Sequence, residues 1–329
     1  MEDFLFSLNI ILPLAALMAI GYIFHKIGLF SDAFIKQGKK LCFYALLSST
    51  LFKNLYDSTL SSIPYNLITL TVLSILGEFI VSIFIAKAIA DHKNQIGVII
   101  QGAVRSNFAY IGIPLASMMF AESELVSRTS SEISILSIFV IPMFNILSVV
   151  ALVCFNGKED ENPFRKTMLN IVKNPCIISI VLGLLVQLVR IVVPGSAFFI
   201  KDHLNFIYKV VGYFASMSTP LALLLVGASL NFSHSVANFK KLAWTVALKD
   251  LIFPITILGI AYMLGGFDKV EYAILVSTFA SSTAIASAIM ASELGGDYDL
   301  ANETVVYTTV FSIFSLLIII FGLKSIGCL

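Results

Sequence analysis

Apolar runs of about twenty residues, each closed by charges or turn residues, recur along the whole chain. They fall at roughly 4–24, 38–56, 64–87, 95–120, 133–155, 175–193, 204–230, 242–264, 271–292 and 302–323. A helix needs about 20 predominantly apolar residues to cross a bilayer, so the pattern predicts ten transmembrane helices and an all-α polytopic membrane protein. Composition agrees: only 12% of the 329 residues are charged, against about 25% in a soluble domain. The 21 Lys+Arg and 20 Asp+Glu leave a net charge of +1 with no basic tract. That balance argues against nucleic acid as a partner and against a soluble enzyme, and makes the lipid bilayer the chain's solvent.

The first run follows Glu2 and Asp3 instead of basic residues, and no A-x-A site follows it, so it is expected to stay as an uncleaved span. One set of alternate loops carries Lys26, Lys36, Lys39 and Lys40, then Lys87 and Lys93, then Lys158, Arg165, Lys166 and Lys173, then Lys240 and Lys241. The other set holds Arg128, Arg190, Lys201, Lys209, Lys269 and Lys324. The richer set is expected on the cytoplasmic side, which puts both termini outside a cell (cytoplasmic) membrane. The longest polar connection, 156–174, is read as a cytoplasmic loop between residues 1–155 and 175–329. Each half then has five spans, and an odd number forces the halves upside down relative to each other, the inverted-repeat plan of many secondary transporters.

The fourth run concentrates unusual chemistry: Gln101, Arg105, Ser106, Asn107, Tyr110, Gly112 and Pro114 lie within fourteen residues. Pro114 removes an amide donor and crowds the preceding turn, and Gly112 weakens the same stretch, so a helix break is expected there. An interrupted helix at matching places in both halves is the best sequence pointer to a transporter's binding site. The matching ninth run holds Ser277, Ser281, Ser282, Thr283 and Ser287, small residues that allow close helix crossing and hydroxyls that bond a ligand or an unwound backbone.

These residues carry a family resemblance. Arg105-Ser-Asn107-Phe followed by Gly112-Ile-Pro114-Leu115 resembles the fourth helix of the auxin efflux carrier family, in its bacterial branch of malate- and malonate-type permeases. Further pieces match in order: Leu51 to Asn54, Pro142 to Asn145, Lys173-Asn174-Pro175, Thr219 to Ala222 with Gly227-Ala228, Ser282-Thr283-Ala284, and Met290 to Glu293 leading into Gly296-Asp297. The resemblance implies a fold similar to that of bile acid–sodium symporters, with ten helices in two inverted five-helix repeats and helices 4 and 9 broken and crossing. It implies transport of small organic anions such as malate, malonate or auxin-like carboxylates, and a homodimer as the common assembly. It also implies substrate contacts by Asn107 and Asn145, with Ser48 and Ser49 facing the same cavity. The chain departs from the family in having Ser48 and Ser282 where proline is common.

The physics of an anion site fits those positions. A carboxylate taken from water needs replacement donors, and half-helix N-termini, the amides of Asn107, Asn145 and Gln101, the Tyr110 hydroxyl and the hydroxyls of Ser281, Ser282 and Thr283 supply them. Glu78, Arg105, Lys249 and Asp250 lie within apolar runs, where a charge costs about 2.5–3.5 kcal/mol at a helix centre and marks function by default. Arg105 is read as the charge that compensates Glu78, as a structural pair in preference to a substrate contact. Glu78 and Asp250 are the candidates for ion coupling, and proton coupling, sodium coupling and uniport stay level on sequence grounds. No cofactor is expected. Cys42, Cys154, Cys176 and Cys328 are scattered and no histidine stands at ligand spacing, so no metal site is expected either. The rival readings are a sodium-coupled symporter, a membrane-embedded enzyme, for which paired catalytic groups are missing, and a non-transporting receptor. The sequons Asn231-Phe-Ser233 and Asn302-Glu-Thr304 fall on the expected cytoplasmic side.

Overall fold

The computed structural model describes residues 2–57, 64–156, 173, 175–192, 199–230 and 238–329. The connection 156–174 and the first sequon thus lie almost wholly outside the described residues. Within them every element is helical and no strand forms. The helices are α1 (Glu2–Lys26), α2 (Asp32–Leu41), α3 (Ser48–Asp57), α4 (Tyr65–Ile89), α5 (Lys93–Val104), α6 (Ile113–Met118), α7 (Ser123–Asn156) and α8 (Pro175–Val192). They continue with α9 (Phe199–His203), α10 (Asn205–Ala228), α11 (Phe239–Ala247), α12 (Phe253–Leu264), α13 (Lys269–Phe279), α14 (Ala286–Glu293) and α15 (Tyr298–Ser325).

Among the described residues six stretches are long and apolar enough to cross a membrane: Asp3–Lys26, Tyr65–Ile89, Ser123–Phe155, Asn205–Ala228, Phe239–Leu264 and Tyr298–Ser325. The other four expected spans correspond to shorter or interrupted helices. One is α2 and α3 joined end to end, one is α8, and two are broken: α5 with α6, and α13 with α14. The outer surface is apolar, with Phe84 71% and Met263 79% exposed, while many serines, threonines and charges are buried. A chain whose exterior solvent is hydrocarbon is expected to show that inversion.

Local sequence sets where these helices begin. Asp268 caps α13 by accepting from the Val270 and Glu271 amides, while the Glu271 carboxylate accepts from the Asp268 amide, a complete capping box. Asp297 caps α15 by accepting from Leu300 N at 3.0 Å.

Three π-turns interrupt the helical ladder, at Cys42–Leu47, Phe108–Gly112 and Leu248–Ile252. Two have a visible cause. Pro114 and Pro254 stand in the first turn of the helix that follows, and each ring denies the turn before it a regular hydrogen bond. The first has no proline. There the Ser48 hydroxyl donates to the Phe43 carbonyl at 3.1 Å, five residues back, and satisfies an oxygen left over by the wider turn. Ser48→Ala is expected to cost about 1 kcal/mol, the worth of one such hydrogen bond, read as a lowered thermal midpoint in detergent.

The helices form two groups in contact. One is α1, α3, α8 and α10; the other gathers α4, α5, α7 and α11 to α15, and the two meet where α1 packs on α15 and α3 on α7. Within the first, α1 and α10 touch through glycines. A Cβ on Gly21 would lie 2.0 Å from the Leu224 carbonyl oxygen, and one on Gly227 would lie 1.8 Å from that of Met18. The second group surrounds the two broken helices.

Candidate functional site

The two breaks meet each other. α5 stops at Val104 and the chain runs extended at Arg105 and Ser106 before turning at Asn107; α13 stops at Phe279 and the chain is irregular until α14 starts at Ala286. Ser106 and Thr283 pair as an antiparallel bridge. The Asn107 amide donates to the Ser282 carbonyl at 2.6 Å, and the Ala284 amide donates to the Arg105 carbonyl at 3.0 Å. Unwound backbone inside a membrane protein must satisfy its own polar groups, and here each break does so on the other.

Side chains reinforce the bridge. The Thr283 hydroxyl donates to the Gly102 carbonyl at 2.6 Å, and the Thr283 amide donates to the Thr308 hydroxyl at 3.1 Å. The Thr309 hydroxyl reaches the Ser282 hydroxyl at 3.2 Å. Gln101 donates its Nε2 to the Ser287 carbonyl at 2.9 Å. On these contacts Gln101, Ser282 and Thr283 serve the crossing. The Ser281 hydroxyl, fully buried, has no partner.

Beside the bridge lies a cavity of about 280 Å³. Arg105 to Tyr110 form one wall, Ala284 to Ala286 at the start of α14 a second, Ile141, Phe144 and Asn145 of α7 a third, and Phe43 a fourth. Phe43 belongs to the π-turn between α2 and α3, so the cavity sits where the two helix groups meet. Arg105 is the one charged residue among those lining it. Its guanidinium donates to Asn145 Oδ1 at 2.8 Å and contacts the Met290 sulfur. Asn145 Nδ2 donates in turn to the Ile141 carbonyl at 2.9 Å, which aims the amide oxygen at the arginine. Asn107 is 2% exposed, and its Nδ2 is a buried donor with no acceptor. The Tyr110 ring lines the cavity while its hydroxyl donates to the Lys39 carbonyl at 3.1 Å. The start of α14 turns the positive end of its dipole towards this space.

Several expected features sit elsewhere. Ser48 and Ser49 are outside the lining residues; Ser48 supports the π-turn that carries Phe43. The break lies upstream of Gly112 and Pro114, at 105–107. Pro114 stands in the first turn of α6, where the missing amide is tolerated, and Gly112 is a close-approach residue: a Cβ there would lie 2.6 Å from the Ser277 carbonyl oxygen. The helix from α13 to α14 breaks without a proline.

The expected pairing of Arg105 with Glu78 is not seen, because the guanidinium turns to Asn145 and Met290. Glu78 and Asp250 are both buried, and none of their carboxylate oxygens accepts a hydrogen bond. Their electrostatic neighbour is Lys249. Its ammonium, 1% exposed, donates to the Ser106 hydroxyl and to the Phe279 carbonyl at 3.1 Å. Sequence reasoning noticed Lys249 only as an intramembrane charge. Its one available signal was position, five residues before Pro254 and so inside the π-turn which that proline imposes.

The ends of the broken helices are tied down separately. Lys241 pairs with Asp91 at 2.6 Å, and Gln95 Nε2 donates to Asp297 at 3.0 Å. Far along the chain from these, Arg128 bridges Glu132 and Asp268, each at 2.6 Å. The Lys241 ammonium beside exposed Asp91 holds that carboxyl below its ordinary range.

Comparison with known proteins agrees with this architecture. A family model described as "Membrane transport protein" matches residues 6–320. A protein of Methanothermobacter thermautotrophicus named "Uncharacterized transporter" is 23% identical over 319 residues, which cover 95% of this chain and 97% of that one. The match runs through both broken helices, the crossing and the cavity, and on it the chain is a multi-pass membrane transporter belonging to the membrane transport protein family, that of the auxin efflux carriers.

Proposed function

We propose that the protein is a secondary carrier for small organic anions such as malate, malonate or auxin-like carboxylates, working by alternating access in the cytoplasmic membrane. The observation that carries this reading is the cavity's charge. Arg105 is its one charged lining residue, no carboxylate joins it, and the unpartnered Asn107 Nδ2 adds a buried donor. Two of the five guanidinium donors are engaged with protein, which leaves donors for a carboxylate. Such a ligand replaces its lost water with charge-assisted hydrogen bonds.

In this reading the chain has ten spans in two inverted five-helix halves, 1–155 and 175–329, with both termini outside. The odd number of spans per half and the two mutually paired breaks support it. Alternating access is a displacement of the group around the crossing against α1, α3, α8 and α10, and the cavity at their meeting place opens to one side at a time. Glu78 and Asp250 are the groups through which a proton or ion gradient would couple, and the working assembly is a homodimer.

The test is capacitive current from the purified protein in proteoliposomes, challenged with malate, malonate, other carboxylates and indole-3-acetate, with and without sodium and pH gradients. A saturable, substrate-specific current is expected. Asn107→Ala keeps the backbone amide of the bridge and removes only the side-chain donor. It is expected to weaken anion affinity at least about tenfold, since a hydrogen bond to a charged group is worth about 1.5–3 kcal/mol. Full activity in that variant, or silence of the wild type across the panel, would overturn the assignment.

A further inference from the structure

Lys249 is the buried charge that the transport reading leaves unused, and its surroundings are specific. Its ammonium touches both helix breaks at once. It donates to the side chain of Ser106, two residues past the end of α5, and to the carbonyl of Phe279, the last residue of α13. Helix C-termini carry the negative end of the dipole, equivalent to about half an elementary charge each. Two such ends converge on the crossing from α5 and α13, and they repel each other in a low-dielectric interior. A cation between them removes that repulsion. Glu78 on α4 and Asp250, the next residue, are its acidic electrostatic neighbours, without a hydrogen bond to it. The π-turn between α11 and α12 thus delivers an ammonium to a point shared by both breaks.

We propose that Lys249 is the tethered cation of the crossing, a positioning group that holds the two breaks together through its contacts to Ser106 and Phe279. The proposal rests on the carrier reading for its transport consequence alone. The structural claim stands on the contacts of the ammonium. Glu78, outside the residues lining the cavity, neighbours this ammonium and is not itself a substrate contact.

The experiment follows hydrogen–deuterium exchange of the full-length protein in nanodiscs, at peptides covering 105–108 and 280–286. Those peptides contain the Asn107 and Ala284 amides that form the bridge. In Lys249→Met both are expected to exchange about 10- to 100-fold faster, the loss of charge-assisted bonds, while peptides of α1 and α10 keep wild-type protection. Lys249→Met also strands Glu78 without its cation and risks poor folding. The double variant Glu78→Gln with Lys249→Met removes the stranded charge; it is expected to recover thermal stability and keep the fast exchange at the crossing. Ser106→Ala, which deletes one of the two acceptors, is expected to speed exchange at Asn107 several-fold and decides the matter if neither lysine variant folds.

Wild-type protection at both peptides in Lys249→Met would overturn the proposal. So would slow exchange restored by the double variant, because Lys249 would then only neutralise Glu78. In proteoliposomes Ser106→Ala is expected to slow the wild-type current without changing which anion carries it. A wild type silent with every anion refutes the carrier reading instead, and the exchange measurement still decides the role of Lys249.

Discussion

Arg105→Gln is expected to lower anion affinity about a hundredfold or more while leaving the protein folded in the membrane. The reason is that Arg105 divides its work between main chain and side chain. Its carbonyl accepts the Ala284 amide in the bridge, and glutamine keeps that bond unchanged. Its guanidinium is the cavity's charge, and truncating one partner of a buried, hydrogen-bonded charge pair costs about 2–5 kcal/mol. Arg105→Lys keeps the charge but not the planar fork, and should fall between wild type and glutamine. Isothermal titration with malate or malonate gives the affinities, and size-exclusion behaviour in detergent checks the fold. An Arg105→Gln protein with unchanged affinity would mean that the anion binds elsewhere.

Gly227→Val is expected to destabilise the protein by about 3 kcal/mol or more, or to prevent its recovery from the membrane. The Cβ would stand 1.8 Å from a backbone oxygen of α1, and Gly21 makes the reciprocal approach at 2.0 Å. Neither obstacle is a flexible side-chain end, so α1 and α10 must separate. In lipid, helix association depends on this close van der Waals contact because hydrocarbon offers no hydrophobic drive, and overpacking costs about 1–3 kcal/mol, occasionally more. Thermal unfolding in detergent measures it. Gly77→Val makes the comparison, because the space beside Gly77 is open and its Cβ would meet nothing within 4 Å; it should leave the midpoint nearly unchanged.

The sequence carried the place of the two breaks better than their wiring. Gln101, Arg105, Asn107 and Tyr110 crowd one apolar run, and that density alone marked the fourth helix as interrupted. The hydroxyl-rich run around Ser282 marked its counterpart. What could not be read was direction. Within a break the 3.6-residue period no longer fixes where a side chain points, so nothing in the sequence said that Arg105 faces Asn145 and turns from Glu78. The electrostatic neighbour of Glu78 is 171 positions away, at Lys249 on a π-turn, and a π-turn rotates every later side chain relative to the regular pattern. Ser48 shows the same limit in reverse: a hydroxyl expected at the substrate spends itself on the Phe43 carbonyl.

The Asn107–Ser282 and Ala284–Arg105 hydrogen bonds are made entirely by main-chain atoms, and this decides which changes the crossing can absorb over evolutionary time. Position 282 contributes a carbonyl to the bridge and a hydroxyl contact to Thr309, so proline there keeps the main-chain bond and loses only the hydroxyl contact. Positions 107 and 284 contribute amides, and proline at either one deletes a donor. The junction that orients the cavity's side chains therefore depends on two residues keeping a hydrogen on nitrogen, whatever else the Asn107 side chain does for the cargo.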